Sequence, residues 1–220
     1  TGYNGDGGNY VAWNWKAATA FSNDASATSI GNLDSAGKVN TAAGFSIVSW
    51  VADGNGNTKT SGVAHGLSQK AELVIAKRRP GARNWHVGHK DLPFNAGNNS
   101  HNGVLTLNQN VANEANNTGL ADMPNATTFI ARGDDGDNYI AYCFHSVEGY
   151  SKVGSYEGND NANGTFVYTG FSPKFILFKN IERAGQDWGI YDNVRHTTNP
   201  LGDRLFANDT PAESANTANI

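Results

Sequence analysis

Carboxylates are the first chemistry to weigh in this chain. Asp134-Asp135-Gly136-Asp137-Asn138 puts three carboxylates and one amide into a single short run. Hard oxygen donors at that density suit Ca2+, which takes about six to eight oxygen ligands from loops of this kind. Asn4-Gly5-Asp6 is a shorter version near the start. No bidentate Glu follows at the EF-hand distance, and a Gly/Asp/Asn run also makes a tight hairpin turn. Asp134, Asp135 and Asp137 therefore stand as candidate Ca2+ ligands beside a plain turn reading. Arg132-Gly133-Asp134 spells an integrin-type tripeptide, a match too short to carry weight in a Gly/Asp-rich chain.

Other chemistry is thinner. The remaining carboxylates sit mostly in turns, Asp53, Asp91, Asp160 and Asp187 among them, and no pair of Glu is spaced as an acid/base couple. Ser151 lies in Gly149-Tyr-Ser-Lys-Val-Gly154, which is not a nucleophile elbow. No phosphate-binding or dinucleotide fingerprint is present. His86 and His89 are an odd number of residues apart, which on a strand sends them to opposite faces and away from one metal. His65, His101, His145 and His196 are scattered, and read as exposed or singly hydrogen-bonded. Arg78, Arg79 and Arg83 read as a solvated basic turn. Aromatic faces offer a further chemistry, stacking on sugar rings. Trp50, Trp85, Trp188, Tyr156 and Tyr191 could stack so, but Trp85 and Trp188 recur at the same place in the module and read as core. Tyr150, Tyr156 and Tyr168 flank Gly/Asn-rich loops. Tyr156 and Tyr168 are the candidate ligand-binding residues.

The elements that must position these groups come in two similar sets. Gly44 to His89 reads GFSIVSW, a Gly/Asn turn, VAHGL, AELVIAK, a charged turn, NWHVGH. Gly149 to Asp192 reads GYSKVGSY, a Gly/Asn turn, VYTGF, PKFILFK, a charged turn, DWGIYD. Val63 answers to Val167, Gly66 to Gly170, Lys77 to Lys179 and Trp85 to Trp188. The offset of about one hundred residues is a domain length. A third echo relates GDGGNYVAWNW (Gly5–Trp15) to GDDGDNYIAYCF (Gly133–Phe144). The second of these closes the first module, so the first reads as the closing strand of a preceding one. The chain thus begins late in one unit, without Met, and ends partway through another, the arrangement expected of a piece of a longer polypeptide.

Taken in order, residues 1–16 are read as that closing strand, with Val11, Trp13 and Trp15 on one buried face of Asn9–Lys16. Residues 17–43, rich in Ala, Ser, Thr and Gly, are read as a linker or extended arm with a short strand or two. Residues 44–148 form repeat 1 and residues 149–220 an incomplete repeat 2. Within repeat 1, strands are expected at Phe45–Val51, Val63–Leu67, Glu72–Lys77, Trp85–His89 and around Val104–Leu107. Asn55-Gly56 signals a turn, and a short helix at Val111–Ala115 is the alternative to loop there. Thr127–Arg132 and Asn138–Phe144 are expected to pair as a hairpin through Gly133–Asp137. The same order should recur in repeat 2, ending in Arg204–Phe206. Short strands, many turns and no capped amphipathic helix give the fold class: all-β, tandem antiparallel β-sandwich modules.

Composition narrows the partners. Only 16% of residues are charged and the net charge is −4, which gives nucleic-acid binding little electrostatic support. No run of about 18 apolar residues could span a membrane. The lone Cys143, inside YIAYCF, excludes an internal disulfide and reads as a buried inert thiol.

NYVAWNWKA, AGFSIVSW, VAHGL, AELVIAK, NYIAYCF, EGYSKVGSYEGN, FVYTGFSPKFILFKN and WGIYDNVR, in that order, resemble the tandem repeat domains of marine bacteriophage virion proteins. These are tail- or fibre-type structural proteins, whose repeats commonly follow an N-terminal SPRY- or lectin-like domain. The resemblance covers nearly the whole chain and departs mainly in the Asn-rich insert at about 95–125. It implies a non-enzymatic virion component, a tail fibre, tail or surface appendage, assembled as a homo-oligomer such as a trimer with other virion proteins. A carbohydrate-binding adhesion module that grips a host cell-surface glycan is the alternative. No resident cofactor is implied, Ca2+ at the acidic turn being the one candidate.

Overall fold

The computed structural model describes residues 6–7, 10–54, 61–95, 101–114, 125–131, 133–161, 163–195 and 202–215. Two strands open the sheet structure, β1 (Thr19–Asn23) and β2 (Ser35–Asn40), bracketing one helical turn, α1 (Ala25–Thr28). Asp24 caps that turn by accepting the Ser26 and Ala27 amides at 3.0 and 3.2 Å. Next come β3 (Phe45–Val51), β4 (Gly62–Ala64), β5 (Leu73–Arg78) and β6 (Trp85–His89). Four short strands follow: β7 (Phe94–Asn95), β8 (His101–Asn102), β9 (Leu105–Thr106) and β10 (Thr128–Ile130). The last five are β11 (Asn138–Phe144), β12 (Phe175–Phe178), β13 (Gly189–Asp192), β14 (Asp203–Phe206) and β15 (Ser214–Ala215).

Strands β1-β2-β3-β11-β5-β6-β9 form one seven-stranded antiparallel sheet. Its two faces are set by the period of two along each strand. Val48, Trp50, Val74, Ala76, Ala141 and Cys143 point one way and meet Val63 of β4 and Phe129 of β10. Leu73, Ile75, Val87 and Leu105 point the other way and meet Leu177 and Trp188 of the β12-β13-β14-β15 sheet. The result is a sandwich-like stack of three layers with two apolar seams. Trp188 seals the second seam: its indole Nε1–H donates to the Thr106 carbonyl at 2.8 Å.

The repeat is legible in hydrogen bonds as well as letters. β5 pairs β6 with Ala76 opposite His86, and β12 pairs β13 with Phe178 opposite Gly189. β6 pairs β9 with Val87 opposite Leu105, and β13 pairs β14 with Ile190 opposite Leu205. Asn108 accepts the Trp85 amide at 2.8 Å and donates to Asn84 at 3.0 Å. Asn208 accepts the Trp188 amide and donates to Asp187, both at 2.7 Å. Val104 bridges Glu114, and Arg204 pairs Ser214. Each copy therefore builds the same meander, held by the same asparagine.

Several expectations need correction. Residues 10–18 form no strand, and Val11 and Trp15 are exposed. Among the described residues no ladder includes that segment; Trp13 and Trp15 instead lean on Phe175, and Trp15 also on Phe45 and Phe144. The expected arm at 17–43 is two full strands of the main sheet, because β2 pairs β3 from Ser35 opposite Trp50 to Asn40 opposite Phe45. The expected strand over Val63–Leu67 stops at Ala64, two residues before Gly66 turns to φ +71. β10 and β11 do not form a hairpin. β10 pairs β4, whereas β11 pairs β3 and β5, so the acidic turn carries the chain from one layer to another. Residues 111–114 are not helical, and the Asn55-Gly56 turn lies outside the described residues. In the second copy, 152–174 holds no strand among its described residues.

Trp188→Phe keeps an aromatic ring in the second seam but removes the indole hydrogen bond to the buried Thr106 carbonyl, which then keeps only the Gln109 amide at 3.2 Å. It should cost about 1–3 kcal/mol, from one lost hydrogen bond and the void left by the smaller ring. Denaturant unfolding should show a lower midpoint at unchanged slope.

Candidate functional site

The acidic turn is tied to the end of the main sheet. The Gly136 amide donates to the Ala52 carbonyl and the Ala52 amide to the Asp137 carbonyl, both at 2.9 Å. Gly136 supplies φ +76, which the turn requires. Arg78, at the end of β5, then reaches into the turn. Its guanidinium nitrogens lie 3.1 Å from Asp134 Oδ2 and 2.6 Å from Asp137 Oδ2, and Arg83 stands 3.9 Å from Asp134. Two of the three candidate Ca2+ ligands thus face a guanidinium, and Asp135 is exposed beside them. Among the described residues no three His, Cys, Asp or Glu gather as a metal site. Arg132 of the tripeptide and Asn4-Gly5 of the echo lie outside the described residues.

A second cluster sits where β11 leaves the sheet. Glu72 accepts Lys90 Nζ at 2.9 Å, the Ser146 amide at 2.6 Å and the Ser146 hydroxyl. Burial pushes the Glu72 carboxyl up, but Ser146 and Lys90 outweigh it and hold it below the usual range. Ser146 Oγ also accepts the Val153 amide at 3.0 Å. This hydroxyl is fully spent on holding the exit of β11 and is not poised as a nucleophile.

Sequence reasoning missed the most buried polar groups. His65 is 0% exposed and His145 is 3% exposed. His65 Nδ1 accepts the Leu67 amide at 3.1 Å, which places its proton on Nε2. His145 Nδ1 lies 2.8 Å from the Ser146 carbonyl and must donate to it. Neither Nε2 meets a protein partner. Burial, with His145 nearby, lowers the pKa of His65 to about 4. Nothing in the spacing of lone histidines signals this; only the layer crossing brings β4 and the end of β11 together. His86 and His89 do fall on opposite faces of β6, opposite Ala76 and Leu73. His196 lies outside the described residues.

Of the two tryptophans read as core, Trp188 is buried, whereas Trp85 is half-buried and stacks on Tyr142. Trp50 and Tyr191 are buried as well. Tyr156 and Tyr168 are open, 59% and 77% exposed, and Phe166 between them is 85% exposed. Tyr150 and Val167 extend the same open stretch. A polar loop joins the two tyrosines. Thr165 Oγ1 donates to the Glu157 carbonyl at 2.6 Å and pinches the loop at its base. Inside it, Asn159 donates to the Asn163 carbonyl at 2.9 Å, and its Oδ1 accepts the Asn161 amide at 3.2 Å. The aromatic rings thus flank a self-bonded asparagine loop. The equivalent residues of the first copy lie in β3 and β4, within the packed layers.

Residues 1–220 match the family model described as a domain of unknown function (DUF7483), and the chain belongs to that family. No curated protein and no solved structure matches the chain.

The His65 arrangement fixes a pH response. Its folded pKa of about 4 lies below the ordinary 6.5, so the unfolded chain binds the extra proton between those values. Stability should be level above about pH 6.5 and fall by up to about 3 kcal/mol on the way to about pH 4. Urea titrations at stepped pH should show this fall, and His65→Gln should reduce it, leaving the part due to His86 and His89, whose pKa values burial also lowers.

Proposed function

We propose that this DUF7483 protein is a non-enzymatic phage virion structural protein, a component of a tail fibre, tail or surface appendage. Its contact surface is the open stretch from Tyr150 to Tyr168. The observation that carries this reading is the contrast between copies. One module sequence appears twice, once with its first strands packed and once with the equivalent aromatics turned to solvent. Exposed apolar residues clustered on one stretch mark a surface built for a partner. The ordered motifs that resemble phage virion repeats supply the setting. Repeated meanders give length from one design, and homo-oligomers share such surfaces among copies.

A carbohydrate-binding adhesion role is the second reading, favoured by one feature. Tyr156 and Tyr168 flank a loop of asparagine amides, and sugars are gripped by flat apolar faces beside amide hydrogen bonds. A host cell-surface glycan would be the ligand.

Glycan-array and whole-cell binding of the intact chain, with and without Ca2+, separates these readings. Saturable glycan binding that weakens about tenfold in each of Tyr156→Ala and Tyr168→Ala supports the adhesion role. A stable oligomer with no cell or glycan binding supports a purely structural component. Glycan binding untouched by both substitutions removes the Tyr150–Tyr168 stretch as the site.

A further inference from the structure

The meander of the second copy has one unfilled position, and the first copy shows what belongs there. In the first copy β5 lies between β6 and β11. β11 covers its far edge with Phe144 opposite Leu73, Tyr142 opposite Ile75 and Ile140 opposite Lys77. β12 is the counterpart of β5, since both make the same pairing with the next strand. Among the described residues, β12 is bonded to β13 alone. Among the described residues, the edge that β5 gives to β11 has no partner in β12.

The chain holds a second sequence of the β11 type. Tyr10-Val-Ala-Trp-Asn-Trp15 matches Tyr139-Ile-Ala-Tyr-Cys-Phe144 position for position. Carried onto β12, the β11 register puts Trp15 opposite Phe175, Asn14 opposite Ile176, Trp13 opposite Leu177 and Val11 opposite Lys179. The first of these pairs already exists as a contact. The rings of Trp15 and Phe175 are 5.9 Å apart, edge to face, and Trp13 lies 5.3 Å from the same Phe175. The segment is anchored beside that edge: Asn40 donates to the Lys16 carbonyl at 3.1 Å, and the Ala18 amide donates to the Val39 carbonyl at 3.3 Å.

We infer that residues 10–15 are a strap that adds to the open edge of β12 as an antiparallel strand in the β11 register, within the same chain. Facing directions agree with this. Leu177 points into the seam against the main sheet, so its partner Trp13 points there too, with Val11 and Trp15. Those three form the apolar face of the segment, and Tyr10, Ala12 and Asn14 face outward. The surface they would cover is unfinished. On the outer face of the main sheet Val51 is 51% exposed, and Ile47, Ile140 and Tyr142 are half-buried. One strand beyond β12 extends the second layer over that surface. It also removes an exposed apolar edge, which sheets rarely leave unpaired.

Two experiments on the full chain test the strap. In the first, Asn14→Cys with Ile176→Cys is oxidised in dilute solution, and Asn14→Cys with Phe178→Cys serves as the off-register control. Cys143 is fully buried and does not compete. A disulfide within the monomer in the first pair and not in the second is expected. In the second experiment, hydrogen exchange should show the amides of Leu177 and Lys179, which point away from β13 to the open edge, protected at least about tenfold relative to residues 166–169. Trp13→Ala with Trp15→Ala should abolish that protection while β5 and β11 stay protected, which shows that the main sheet is intact. Three results overturn the inference: no on-register disulfide, protection unchanged in the tryptophan variant, or a disulfide that forms only between two molecules. The last would assign the strand to a second copy.

Discussion

The structure depends on the insertion of β11 between β3 and β5. Ladders run along both of its edges, from Asn138 opposite Val51 to Phe144 opposite Phe45, and from Tyr139 opposite Arg78 to Phe144 opposite Leu73. Without it the main sheet separates into β1-β2-β3 and β5-β6-β9, each with an open edge. Its side chains also serve both seams. Ala141 and Cys143 belong to the core with Val63 and Phe129, while Phe144 packs on Phe45 at 4.9 Å between ring centres. Neighbouring groups then secure its ends. Arg78 and Ala52 hold the acidic turn before it, and Glu72 holds Ser146 after it. Of the carboxylates weighed in the sequence, Asp134, Asp137 and Glu72 are the ones engaged in these contacts.

How far the sequence could be read follows from the same constraint. Strands whose partners sit on both sides, β3, β5, β6 and β11, were legible from apolar runs bounded by turn residues. Alternation at 9–16 instead pointed to a strand that residues 10–16 do not form. β1 and β2 were not legible, because their sequence is dominated by small residues. Gly37 shows why: a Cβ there would collide with the Ile47 carbonyl of the adjacent strand. Close backbone approach selects small residues, and small residues look like linker. The false hairpin had a different origin. β10 and β11 are adjacent in sequence and joined by a turn-like run, but their apolar faces belong to opposite sides of one seam, Phe129 facing Ala141 and Cys143. Alternation gives the period of a strand and not the layer it joins. His65 and His145 were invisible for the same reason, since only the layer assignment brings their segments together. Tyr156 and Tyr168 were legible because exposure beside an asparagine loop is a local property.

The two copies divide the module into parts of unlike independence. The β5-β6-β9 meander and its counterpart β12-β13-β14 use contacts close in sequence, and Asn108 or Asn208 fastens each at the same place. Local contacts cost little loop-closure entropy, so this half forms the same way twice. The β3 and β4 half is different. β3 needs β11, which arrives after a long excursion, and β4 needs β10. Where that later strand is not in place, Tyr150, Phe166 and Tyr168 lie open instead of entering a sheet. Sequence identity between modules therefore fixes the meander, while the availability of a closing strand decides whether the rest of the module is core or surface. The two segments of this pattern show the difference: Asn138–Phe144 is paired along both edges, whereas residues 10–15 enter no ladder among the described residues.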